Sequence, residues 1–174
     1  TVKEFALFGG ASFKLFSDFS KSIFQGSVSF RDCKFLIADP DYDVKFEECH
    51  FEDEVDFNNA RFESNLTFKK STLHKTSEFI DTFFDAKSHV GFYQVKVYSF
   101  LMFKSKKVDE KLFNNTVAFL LSAQDISGQI IFENVNFLNI FKEQREHLLA
   151  LQLQDKVKVG KGCIKYRLRT STKR

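Results

Sequence analysis

Three cysteines and four histidines are the residues of this 174-residue chain with the widest chemical range. A thiolate nucleophile needs a base or cation beside it, and a zinc site needs ligand pairs at short, regular spacing. Cys33, Cys49 and Cys163 are odd in number and show no such spacing. His50 adjoins Cys49 but would point to the opposite face of a strand, and His74, His89 and His147 have no second ligand at metal spacing. No GxSxG, HExxH, P-loop or dinucleotide fingerprint occurs, and Gly160-Lys161-Gly162 has the length of a turn. These residues predict a protein that is not an enzyme, with no catalytic residue, no metal and no cofactor. Cys33 and Cys49 are expected as reduced thiols packed in the core of a cytoplasmic protein.

Charge is the second resource. The net charge of +3 conceals an asymmetry: residues 39–56 hold nine Asp/Glu against one Lys, whereas residues 141–174 hold ten Lys/Arg against three Asp/Glu. Lys156, Lys158, Lys165, Arg167 and Arg169 are therefore the candidate partner-binding residues, for nucleic acid, an anionic surface or an acidic protein face. A row of Lys/Arg on an edge strand also serves to block unwanted strand pairing.

What must position these groups is a repeat. Phe occurs 24 times and Trp never. Phe13, Phe24, Phe35, Phe46, Phe57, Phe68, Phe79, Val90, Leu101 and Leu112 follow one another at intervals of 11. A second lane runs Phe8, Phe19, Phe30, then Phe51, Phe62, Leu73, Phe84 and Val95, and slips by one residue inside 38–43, where a Pro and three Asp read as a bulged corner. Two residues before each large residue stands, in most units, a small or β-branched one, such as Cys49, Val55 or Ala60. Apolar pairs at i−2 and i place both side chains on one face of a strand, and the positions that would complete a helical stripe are Glu, Asp, Asn and Lys. Phe24, Phe35, Phe46, Phe51, Phe57, Phe62, Phe68, Leu73, Phe79 and Phe84 are thus the predicted structural core.

The stretch CHFEDEVDFNNARFESNLTF (49–68), with an apolar residue at i, a small one at i−2 and steps of 5 and 6, resembles the pentapeptide-repeat family in an eleven-residue, Phe-rich variant. The resemblance covers residues 8–101 and resumes over 119–137. It implies an all-β fold, a right-handed quadrilateral β-helix of four short segments per coil, with two eleven-residue units making one coil. On that register Glu47 lies below Lys69, Asp41, Glu63 and Asp85 form an acidic column, and Arg31, Asp53 and Lys75 a mixed one.

Residues 1–137 are expected to form this solenoid, with an irregular insertion near 96–118. Residues 138–174 are expected to supply a capping helix (139–154, with Ile140, Gln144, Leu148 and Leu151 on one face) and a basic β-hairpin (156–169). The function predicted is a non-catalytic scaffold or protein-interaction module within a larger bacterial protein. Its partner would be another protein or a neighbouring domain of the same chain, and a dimer is compatible. Because some members of the family mimic DNA towards type II topoisomerases, that activity is one alternative. Binding of nucleic acid or an anionic surface through the basic terminus is the other.

Overall fold

The computed structural model describes residues 1–36, 43–85, 88–106, 118–135 and 142–160. The chain winds about an axis and lays a short strand on each of four faces per turn. On face 1, Ala6–Leu7, Val28–Ser29, Val55–Asp56, Ser77–Ile80, Phe100–Lys104, Gln129–Glu133 and Val157–Val159 form a seven-stranded sheet. Face 2 stacks Ser12–Phe13, Lys34–Phe35, Arg61–Phe62 and Phe83–Phe84. Faces 3 and 4 share a third sheet, because His89–Val97 runs straight through the corner between them. Ala118–Ile126 pairs along it in the next coil. The ladders are parallel, as in Leu66↔Val90 on face 3 and Leu73↔Phe51 on face 4. Each coil therefore rises by one strand spacing, about 4.8 Å.

The alternation of 5 and 6 in the sequence encodes two kinds of corner. Where the step between large side chains is five, the second residue after the first one takes a positive φ: Gly10, Lys21, Asp32, Glu48, Asn59, Lys70, Asp81, Gln94 and Asn134. In the Phe8, Phe30 and Phe57 corners, a hydrogen bond from the amide three residues on closes the turn (2.9 to 3.1 Å). A positive φ at the third residue of a four-residue turn is the type II geometry, which favours Gly and Asn. Gly, Asp and Asn fill these positions after face 1, whereas the corners after face 3 use Lys, Glu and Gln. Among the described residues, corners with a step of six hold no left-handed residue.

Inside, the phenylalanines stack in columns, one per face. Phe8, Phe30, Phe57, Phe79, Phe103 and Phe132 form the face 1 column, with neighbouring ring centroids 4.7–5.2 Å apart. Phe13, Phe35, Phe62 and Phe84 fill face 2, and Phe19, Phe46, Phe68 and Phe92 fill face 3. Phe24 and Phe51 stack on face 4 beside Leu73. All the residues predicted as core, Phe24 to Phe84, are buried.

Two features differ from the sequence expectation. The break near residue 40 is not a slip of one. Ala6 pairs with Val28, and Val28 in turn pairs with Val55, so the second of these coils is longer than the first by a whole five-residue unit. Such a unit leaves the eleven-residue lane intact while moving every later Phe to the next face: Phe24 stacks on Phe51, not on Phe46. Secondly, residues 96–106 are not an irregular insertion. Phe100–Lys104 is a regular face 1 strand. The pattern is hidden there because Leu66 pairs with Val90, a step slightly longer than in the regular coils. That step puts Phe92 and Phe103 in the large slots and Val90 and Leu101 in the small ones. Residues 107–117 lie outside the described ones.

At the far end, Lys142–Leu153 is a helix that contacts the Ala118–Ile126 and Val157–Val159 strands. Leu148 joins the core and Leu151 packs against it, so the apolar end of the stack is covered there. After the helix, Val157–Val159 pairs in parallel with Gln129–Glu133 and continues the solenoid. This arm is thus a solenoid strand; the second arm of the expected hairpin, and Ile140, lie outside the described residues.

Candidate functional site

Cys33 and Cys49 are buried at the small inward position after a tight corner. Each donates its thiol proton to the carbonyl of the large residue one coil earlier: Cys33 to Phe8 (3.0 Å) and Cys49 to Phe19 (3.1 Å). Ser71 does the same to Phe46 (2.6 Å) and Thr82 to Phe57 (2.9 Å). Burial pushes both thiols up, Cys49 to about 11. The four residues thus fill one structural role, and neither thiol is poised as a nucleophile. Cys163 lies outside the described residues. The histidines are scattered: His50 faces outward, His74 lies tilted against Tyr98 (ring centroids 5.0 Å apart), His89 meets Asn65, and His147 lies on the helix. Among the described residues no group of three His, Cys, Asp or Glu is placed to hold a metal. No helix among them is long and apolar enough to cross a membrane.

Outward side chains form rows, because the parallel ladders hold residues of successive coils in register. Charges in these rows mostly alternate. Glu47 meets Lys69 (3.9 Å) and Lys104 meets Glu133 (2.8 Å) across coils; Arg61, beside Lys34 in its row, pairs instead with Glu63 of its own coil (2.7 Å). Arg31 pairs with Asp56 at 2.8 Å, which corrects the expected stack with Asp53 and Lys75: the extra five-residue unit moves Arg31 to a different neighbour. Asp41 of the expected acidic column lies outside the described residues.

Face 1 is where the rows become zoned. Its central outward row reads Leu7, Ser29, Asp56, Glu78, Met102, Ile131, Lys158 from one end of the rod to the other. Glu54, Asp56, Thr76 and Glu78 border a shallow depression of about 230 Å³ together with Arg31 and Val55. Next come Met102 and Ile131, partly covered, and Phe100, 42% exposed. Lys158 is exposed and Lys156 half-buried at the end of the sheet, and among the described residues neither makes an ion pair. Lys165, Arg167 and Arg169 lie outside the described residues.

Residues 41–82 match the family model described as Pentapeptide repeats (9 copies). This segment carries pentapeptide repeats. No curated protein and no solved structure matches the chain. The matched segment covers the most regular coils, in which Val44 pairs with Leu66 and Phe51 with Leu73. The solenoid continues on both sides: the coil from Ala6 to Val28 has the same step, whereas those marked by Val28↔Val55 and Val90↔Phe119 are longer. The stacked coils make a repeat scaffold. Its outward rows are hard to read from sequence, because the face 1 zone containing Glu78, Met102 and Ile131 joins strands separated by unequal steps.

Proposed function

We propose that the protein is a non-catalytic interaction module, a rigid rod that presents the outward rows of face 1 to a protein partner. The observation that carries this reading is the zoning of the last five strands of face 1 into acidic, apolar and basic bands held in register by the stacked phenylalanine core. A rigid surface loses little conformational entropy on docking, so a modest patch suffices for recognition. The mixed signs of the other rows favour a protein partner over a purely anionic or cationic one.

The test is site-directed photocrosslinking in an extract of the source cells, with the photoreactive residue at Met102 on face 1 or at His50, which is exposed on face 4. Discrete protein adducts from Met102 alone support the proposal. Equal labelling from both positions, or none from Met102, overturns it. Two further assays separate the alternatives. Inhibition of a type II topoisomerase would favour the DNA-mimic reading. DNA affinity that falls steeply with salt and is lost on replacing Lys156 and Lys158 would favour the basic terminus.

A further inference from the structure

We infer that the partner for face 1 is a second copy of this chain, packed antiparallel and face to face across the apolar band. This rests on the reading of face 1 as the docking surface. The geometry points to it through self-complementarity. Place a two-fold axis along the strand direction, in the plane of contact, midway between Phe100–Lys104 and Gln129–Glu133. The first strand of one copy then faces the second strand of the other, and Ser77–Ile80 faces Val157–Val159. Positions along the strands are preserved by this rotation. Met102 therefore meets Ile131 of the other copy, Lys104 meets Glu133, and Glu78 meets Lys158, since Glu78, Met102, Ile131 and Lys158 occupy one row.

The new contacts are one apolar pair and the Glu78–Lys158 pair, each repeated by symmetry; Lys104 and Glu133, already paired within each chain at 2.8 Å, come together as a cluster of alternating charges. The alternative two-fold, parallel to the rod axis, would set each strand against itself and bring Glu78 onto Glu78 and Lys158 onto Lys158. Charge thus selects the antiparallel arrangement. Lys158 would approach the depression lined by Arg31, Glu54, Asp56 and Glu78, where Asp56 is paired with Arg31 and Glu78 accepts from Asn58, so its new partner is the Glu78 carboxylate. The interface is isologous and closes at two copies. Four strands per copy make roughly 300 Å² of flat contact, from spacings of about 4.8 Å between strands and about 3.3 Å along them. That is smaller than the interfaces of stable complexes, so the dimer is expected to be weak, in rapid exchange and sensitive to salt.

The experiment is sedimentation velocity of the purified chain over a concentration series, with Lys158→Glu, Glu78→Lys and the double swap, each first shown by thermal unfolding to be folded. The wild type should dimerise. Each single reversal breaks both symmetry-related Glu78–Lys158 pairs and should raise the dissociation constant about tenfold, the combined scale of two surface pairs, and the double swap should restore it. A wild type that stays monomeric, or single reversals without effect, or a double swap that fails to restore affinity, overturns the proposal. Photocrosslinking from Met102 separates this failure from that of the docking reading. Adducts only with other proteins sink self-association and leave face 1 as a docking surface; no adduct at all sinks both.

Discussion

The Cys49 thiol donates its proton to the carbonyl oxygen of Phe19, 3.1 Å away and one coil earlier. Burial pushes that thiol up to about 11, from 9.0 in an unfolded chain. The folded state therefore holds the proton more tightly than the unfolded state. The resulting stability is complete below about pH 9 and is lost as pH rises towards about 11. Wild-type unfolding free energy should fall over this interval by up to roughly 3 kcal/mol on account of Cys49. Cys49→Ser keeps the donor, as Ser71 shows at the equivalent position, and removes the titration, so its decline should be shallower. Denaturant titrations at about pH 8 and about pH 10.5, on either side of the unfolded-state value, compare the two; parallel curves would refute the assignment.

Phe68 sits between Phe46 and Phe92, with centroids 4.8 and 5.0 Å away, and is 1% exposed. Removing its ring leaves a gap in a column that cannot close, because the backbone ladders fix the coil spacing. Phe68→Ala should destabilise by about 3–5 kcal/mol, and Phe68→Asp should unfold the domain. Glu63→Lys, which breaks only the surface pair with Arg61, should change stability by less than about 1 kcal/mol. Circular dichroism melts of the three variants check this.

The large inward residues are legible in the sequence because each plays one role, and Phe at i with a small residue at i−2 leaves few other folds open. What escapes the sequence is register. The extra five-residue unit before Asp43 preserves the eleven-residue lane, so Phe24 and Phe46 look like neighbours although Phe24 stacks on Phe51. The longer step from Leu66 to Val90 is masked in the same way, because Val90 and Leu101 are apolar enough to pass for large-slot residues. An outward row depends on every register step below it. Spacing alone therefore gives Arg31 the wrong partner and leaves the Glu78, Met102, Ile131, Lys158 row invisible. Glu47 and Lys69, separated by one regular step, are placed correctly.

Corner chemistry gives a test of opposite signs. Asn59 and Lys70 both hold a positive φ, 58° and 53°. Asn tolerates this conformation, whereas a β-branched side chain does not. Asn59→Val should destabilise by about 1–2 kcal/mol although the residue is exposed. Lys70→Gly should be neutral or stabilising by up to about 1 kcal/mol, because glycine enters this region freely. Chemical denaturation measures both, and destabilisation by Lys70→Gly would contradict the corner geometry.

Gly128 lies against the backbone of Ser99 in the coil before it, where a β-carbon would overlap the Ser99 carbonyl oxygen. That obstacle is backbone and cannot rotate away, so Gly128→Ala must push two coils apart or bend the corner, at about 2–3 kcal/mol. A solenoid makes the location of the damage informative. Each coil contacts mainly its neighbours, so the strain should loosen the coils around Ser99 and Gln129–Glu133 and leave the regular coils of residues 43–84 nearly as protected as before. Hydrogen exchange read by mass spectrometry resolves the two regions. Faster exchange confined to peptides C-terminal to the His89–Val97 strand is the expected result. Equal acceleration along the whole rod would mean that the coils unfold as one unit, and that stability passes along the phenylalanine columns further than nearest neighbours.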